Sequence, residues 1–182
     1  MNRVQTQMAY GLLIAITGII IAILSSNPSR TLQYTVAAGM LLSAVFAFAT
    51  TAKAKHAVIP MKYNRMQGVG ILIYGFAILI YASNFERFIL TTMAFTLYFG
   101  ITEILFGFKL LAYKEHLALQ VIVARMVIGF IMAVGAVLIL TIAMLDKNAS
   151  LLFAGILMTI SGLTFIWFAG LTKKLGMQSL GV

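Results

Sequence analysis

The chain has 182 residues, 62% of them hydrophobic and 9% charged, with a mean hydropathy of +1.05 and a formal net charge of +9. A soluble domain is about half apolar and roughly a quarter charged, so this composition excludes a soluble globule, a disordered chain and a collagen-like one. With no cysteine, four acidic residues and two histidines, it also excludes disulfides, thiolate metal sites and a cysteine nucleophile.

The apolar runs are continuous and lack the alternation of barrel strands. A bilayer core of about 30 Å is crossed by about 20 apolar residues in a helix, and open strands would leave backbone groups unsatisfied in lipid. The expected fold is therefore all-α: a polytopic membrane protein with six transmembrane helices in a single integral membrane domain over 1–182. The first helix is predicted at about 7–25. Arg3 and the apolar run after it share the layout of a signal peptide, but no small-x-small cleavage site follows in the usual form, so the run is read as a span. Asn27-Pro28-Ser29-Arg30 then forms a tight turn into a second helix at 31–52. A charged segment at 53–65 carries Lys53, Lys55, His56, Lys62 and Arg65 ahead of a third helix at 66–83. The turn Ser83-Asn84-Phe85-Glu86-Arg87 leads to a fourth helix at 88–111, and the segment 112–118 holds Tyr113, Lys114 and His116. A fifth helix at 119–144 and a sixth at 149–171 flank the turn Asp146-Lys147-Asn148.

Lysine and arginine sort sharply by side. Arg3, Lys53, Lys55, Lys62, Arg65, Lys109, Lys114, Arg125, Lys173 and Lys174 fall on one side, and Arg30, Arg87 and Lys147 on the other. The positive-inside rule then puts both termini in the cytoplasm and the three tight turns outside. The basic surplus thus reports topology against an anionic membrane face. Nucleic acid is not an expected partner, because no hydrophilic domain is left to carry it; the bilayer is.

The helices pair into hairpins with an internal period. Gly11, Gly70 and Gly129 are spaced by 59 and 59, and Lys55, Lys114 and Lys174 by 59 and 60. Pro28, Glu86 and Asp146 mark the outer turns at 58 and 60. The sequence therefore predicts three repeated helical hairpins, with units at about 5–56, 64–116 and 123–175. Two spans per unit preserve orientation, as parallel repeats require. Small residues recur at seven-residue spacing, as Gly100 with Gly107 and Gly155 with Gly162, which places each pair on nearly one helix face. Gly39, Ser43 and Ala47 run at fours. Gly11, Gly70, Gly129, Gly100, Gly107, Gly155 and Gly162 are expected to pack helices closely, because burial gives little net drive in lipid.

These residues carry a resemblance. Three hairpins of this length with glycines at matching positions resemble the HdeD family of small bacterial membrane proteins, a family associated with acid resistance. The local match is best at Gly100-Ile101-Thr102-Glu103-Ile104-Leu105-Phe106-Gly107. Lys109 stands where the family often has a basic residue, and Pro28 is similar to the proline often found after the first helix of a unit; the later outer turns carry none. The resemblance implies a six-helix inner-membrane protein with a stress-related role and supplies no mechanism.

Glu103 is the one acidic residue well inside a predicted span. It lies six residues before Lys109, about 9 Å in depth at about 1.5 Å per residue. An ionised group in the membrane calls for a partner. Arg125 is at similar depth on the same side, with Arg65 the second choice. Such a pair reads either as an interhelical lock or as part of a proton or ion relay. No second titratable group lies near the middle of a span, which counts against a relay.

The chemistry of enzymes is missing. There is no phosphate-binding Gly-x-x-x-x-Gly-Lys loop, no His-Glu-x-x-His helix and no Gly-x-Ser-x-Gly elbow. His56 and His116 sit among lysines and are too few for a zinc set. No catalytic residue, metal site or cofactor is expected. The expected function is that of a small non-enzymatic inner-membrane protein associating with itself or other membrane proteins. The alternatives are an accessory subunit of a larger membrane complex and a small-solute or ion transporter.

Overall fold

A computed structural model describes residues 2–26, 29–52, 58–82, 84–112 and 119–174. Six helices follow in chain order: α1 Arg3–Ile23, α2 Arg30–Ala52, α3 Val58–Ile80, α4 Phe85–Ala112, α5 Leu119–Leu145 and α6 Lys147–Lys174. No strand occurs among the described residues. The protein is an all-α polytopic membrane protein. All helices but α3 contain stretches long and apolar enough to cross a bilayer. Helix α3 begins earlier than the sequence suggests, at Val58 instead of about 66, so Lys62 and Arg65 lie on helix and not in a loop. Both are exposed, as long cationic side chains that reach toward a headgroup layer would be.

The turns are short because polar side chains cap the helices directly. Asn2 and Gln5 form a reciprocal capping box at α1. Ser29 Oγ accepts from Leu32 N, and Asn84 Oδ1 accepts from Arg87 N. Asp146 alone separates α5 from α6, its Oδ1 accepting from Asn148 N and Ala149 N.

The helices form a closed ring in chain order, with α6 returning to α1. The most extensive contacts are α1 with α6, α4 with α5 and α2 with α3; each exceeds the contact between the two helices of any hairpin. Small residues explain two of these seams. A Cβ added to Gly11 would meet Phe165 Cβ at 2.8 Å, Gly162 O at 2.9 Å and Ile166 Cγ1 at 3.2 Å. One added to Gly129 would meet Gly100 O at 2.8 Å, and Glu103 Cβ and Ile104 Cγ1 each at 2.9 Å. The two seams thus use the same contact, backbone on backbone, which only glycine permits. The α2/α3 seam differs: Gly68 and Gly75 of α3 face the side chains of Phe48 and Leu41.

Within each hairpin one hydroxyl crosses to the partner helix's backbone. Ser43 donates to Tyr10 O, Tyr98 to Met66 O, and Ser150 to Ile139 O. Gly70 faces the Tyr98 ring of its own hairpin, unlike Gly11 and Gly129. Most other intramembrane hydroxyls bond their own helix, as Thr17 does to Leu13 O, Thr96 to Thr92 O and Thr159 to Gly155 O. Apolar grooves of about 500, 220 and 350 Å³ open to the outside within the α1/α2, α3/α4 and α5/α6 hairpins.

A line of aromatic rings runs through the interior. Tyr10 meets Phe165 at 4.8 Å between centroids, Phe165 meets Phe99 at 5.3 Å, Phe99 meets Phe95 at 5.8 Å, and Phe95 stacks on Tyr74 at 4.3 Å. These separations are those of favourable aromatic pairs. The Tyr74 hydroxyl ends the line on Thr92 Oγ1 at 2.9 Å. Thr92 itself donates to Phe88 O, so Tyr74 is the donor.

Candidate functional site: a buried ion pair between hairpins

The polar centre grows out of the α4/α5 seam. Gly100 and Gly129 bring the two backbones together, and Glu103 lies one turn past Gly100 while Arg125 lies one turn before Gly129. That register sets the two side chains against each other. Arg125 Nε donates to Glu103 Oε2 at 2.7 Å, and Arg125 Nη2 donates to Glu103 Oε1 at 2.8 Å. This two-point geometry is the strong form of an arginine–carboxylate contact. Glu103 is 2% exposed and Arg125 4%, so the pair is screened from both water and lipid.

Further groups complete the centre. Gln67 on α3 donates from Nε2 to Glu103 Oε1. The Arg125 guanidinium lies over the Phe106 ring at 4.3 Å and the Phe168 ring at 4.4 Å. Two aromatic faces supply the buried cation with π density. Phe106 in turn packs on Tyr63, with Leu110 and Ile122 around them. Helices α3, α4, α5 and α6 all contribute, so the centre joins the second hairpin to the third.

The arrangement holds a carboxylate and a guanidinium together as a neutral unit. An isolated ion in hydrocarbon costs several kcal/mol, on the order of 3 by insertion scales; pairing and the added hydrogen bond offset part of that cost. Glu103 and Arg125 are the buried charged residues among those described, and they cancel.

Of the two partners the sequence offered Glu103, the structure uses Arg125. Arg65 is exposed and does not enter the centre, because α3 turns Gln67 inward instead. The predicted packing glycines lie in helix contacts: Gly11, Gly155 and Gly162 between α1 and α6, Gly100, Gly107 and Gly129 between α4 and α5, and Gly70 between α3 and α4. The sequence reading missed Gln67 and the phenylalanine sandwich. An amide inside an apolar run was the available signal for Gln67; nothing in the sequence distinguishes Phe106 and Phe168 from the other phenylalanines. No group of three or more metal-ligating side chains occurs among the described residues. Pro28, Lys53, Lys55, His56, Tyr113, Lys114 and His116 lie outside the described residues.

Compared with protein-family models, with curated proteins and with solved structures, the chain matches none.

Proposed function

We propose that this chain is a non-enzymatic, multi-pass protein of the bacterial inner membrane, built from three repeated hairpins. It acts as a packed scaffold that associates laterally with itself or with other membrane proteins. The observation that carries this reading is the interior itself. The aromatic line from Tyr10 to Tyr74 fills the middle of the ring, and the buried charges among the described residues neutralise each other. Arg125 engages both oxygens of the Glu103 carboxylate, and stacked aromatic rings occupy much of the interior among the described residues. Support for the repeat comes from the matched contacts of Gly11 and Gly129 and from the hydroxyl bridge in each hairpin.

The ten-to-three sorting of cations supports cytoplasmic termini. The Gly100–Gly107 segment supports an HdeD-like stress or acid-resistance role. Purification in mild detergent tests the scaffold: a self-associated or substoichiometrically partnered protein is expected. A stoichiometric foreign partner would make it an accessory subunit instead. Proton-coupled flux in liposomes that Glu103→Gln abolishes, with the fold intact, would overturn the reading in favour of a transporter. Reporter fusions at residues 28, 86 and 146 are expected to report the periplasm, and survival of a deletion strain at low pH tests the stress role.

A further inference from the structure

At the end of the ring away from the termini, an apolar groove of about 290 Å³ opens between α4 and α5. Ile89 and Leu90 of α4 and Leu140, Ala143 and Met144 of α5 line it, and Glu86 and Lys147 stand at its mouth. Lys147 Nζ donates to Glu86 Oε1 at 2.6 Å, and both side chains are largely exposed. One hydrogen bond uses a small part of what these groups offer. A carboxylate has about four acceptor positions and an ammonium three donors, so both charges keep unused capacity facing outward. Beside them Met144 and Leu145 are 84% and 86% exposed, the most exposed large apolar side chains described. A paired anion and cation directly above an apolar slot is complementary to an amphiphile whose head carries both charges.

Neighbouring groups narrow the choice of head. Asp146 Oδ1 is engaged in capping α6, and the Arg87 guanidinium lies over the Tyr81 ring at 5.0 Å. Neither lines the groove, whose charged lining residues are one anion, Glu86, and one cation, Lys147. A purely anionic lipid would satisfy Lys147 and be repelled by Glu86. A quaternary ammonium head has no N–H to give the carboxylate. A primary ammonium with a phosphate satisfies both.

We propose that this groove binds a phosphatidylethanolamine-type phospholipid, with its ammonium on Glu86, its phosphate on Lys147 and an acyl chain against Ile89, Leu140 and Met144. The test is native mass spectrometry of the full chain released from nanodiscs that hold phosphatidylethanolamine, phosphatidylglycerol and phosphatidylcholine in equal amounts. Wild type is expected to retain phosphatidylethanolamine over the other two by about fivefold, the scale of an exposed charge interaction. Glu86→Gln and Lys147→Gln are each expected to remove that preference. Leu140→Trp, which keeps the charges and fills the slot, is expected to remove it as well. Equal retention of the three lipids, a preference for phosphatidylglycerol, or a preference that survives all three variants would overturn the proposal.

Discussion

The α1/α6 and α4/α5 seams are built on one backbone plan and filled with different chemistry. In both, a glycine of one helix rests on the carbonyl of a glycine in the other: Gly11 on Gly162, Gly129 on Gly100. Three residues after the second-helix glycine stands Phe165 in one seam and Glu103 in the other. Four residues before the first-helix glycine stands Gln7 in one and Arg125 in the other. All four are buried. Phe165 joins the aromatic line through Tyr10 and Phe99, whereas Glu103 makes the ion pair. The comparison teaches that close backbone approach holds the seams, and that the side chains it brings together are free to differ. An ion pair is then a feature added to a contact that does not need one.

The largest expected effect strikes the shared element. Gly162→Leu and Gly100→Leu would each drive a side chain into opposing backbone, onto Ala15 and Gly11 in one seam and Ala133 and Gly129 in the other. Both are expected to abolish recovery of monodisperse protein in detergent, read by size-exclusion chromatography. If one is tolerated, the seams are not equivalent.

Next in size is removal of one charge. Glu103→Leu leaves Arg125 buried without its anion and is expected to cost about 3–5 kcal/mol, read as a lower midpoint in thermal unfolding. The sharper variant transplants the other seam. Glu103→Phe with Arg125→Met, apolar where the other seam has Gln7, together with Gln67→Leu so that no amide is stranded, is expected to recover most of that loss. A buried pair replaced by apolar groups of similar volume is often neutral or stabilising. Failure of the transplant to recover stability, measured as coupling in a mutant cycle, would show that the ion pair has a role the seam itself does not explain.

The smallest effects separate inward from outward cations. Arg65→Gln is expected to leave the unfolding midpoint unchanged, within about 0.5 kcal/mol, while Arg125→Gln alone lowers it clearly. Glu86→Gln should also be near neutral for stability, because the Glu86–Lys147 pair is exposed and solvent screens it. A large destabilisation by either would mean that these groups are covered by something in the folded protein.

Much of the centre was legible beforehand, for a definite reason. A carboxylate inside an apolar run has to find a cation, and Arg125 is a cation at matching depth. Depth did not decide between Arg125 and Arg65; azimuth did. Helix α3 turns Gln67 toward Glu103 and leaves Arg65 outside, and the direction a helix face points depends on neighbours the sequence does not order. The start of α3 was misplaced for a related reason, since Lys62 and Arg65 read as loop but are accommodated on an exposed helical surface.

By itself the sequence determined the helical class, the hairpins and the need of Glu103 for a partner. Hydropathy and backbone satisfaction in lipid leave no other solution for such runs. The tertiary structure decided which helices lie against which. Glycines seven residues apart mark a close contact but do not name its partner, and pairing α1 with α6 and α4 with α5 depends on complementary surfaces from distant parts of the chain. The same packing gathered Gln67, Phe106 and Phe168 around the ion pair and lined up Tyr10, Phe165, Phe99, Phe95 and Tyr74. Contacts between residues so far apart in sequence arise only when the ring closes.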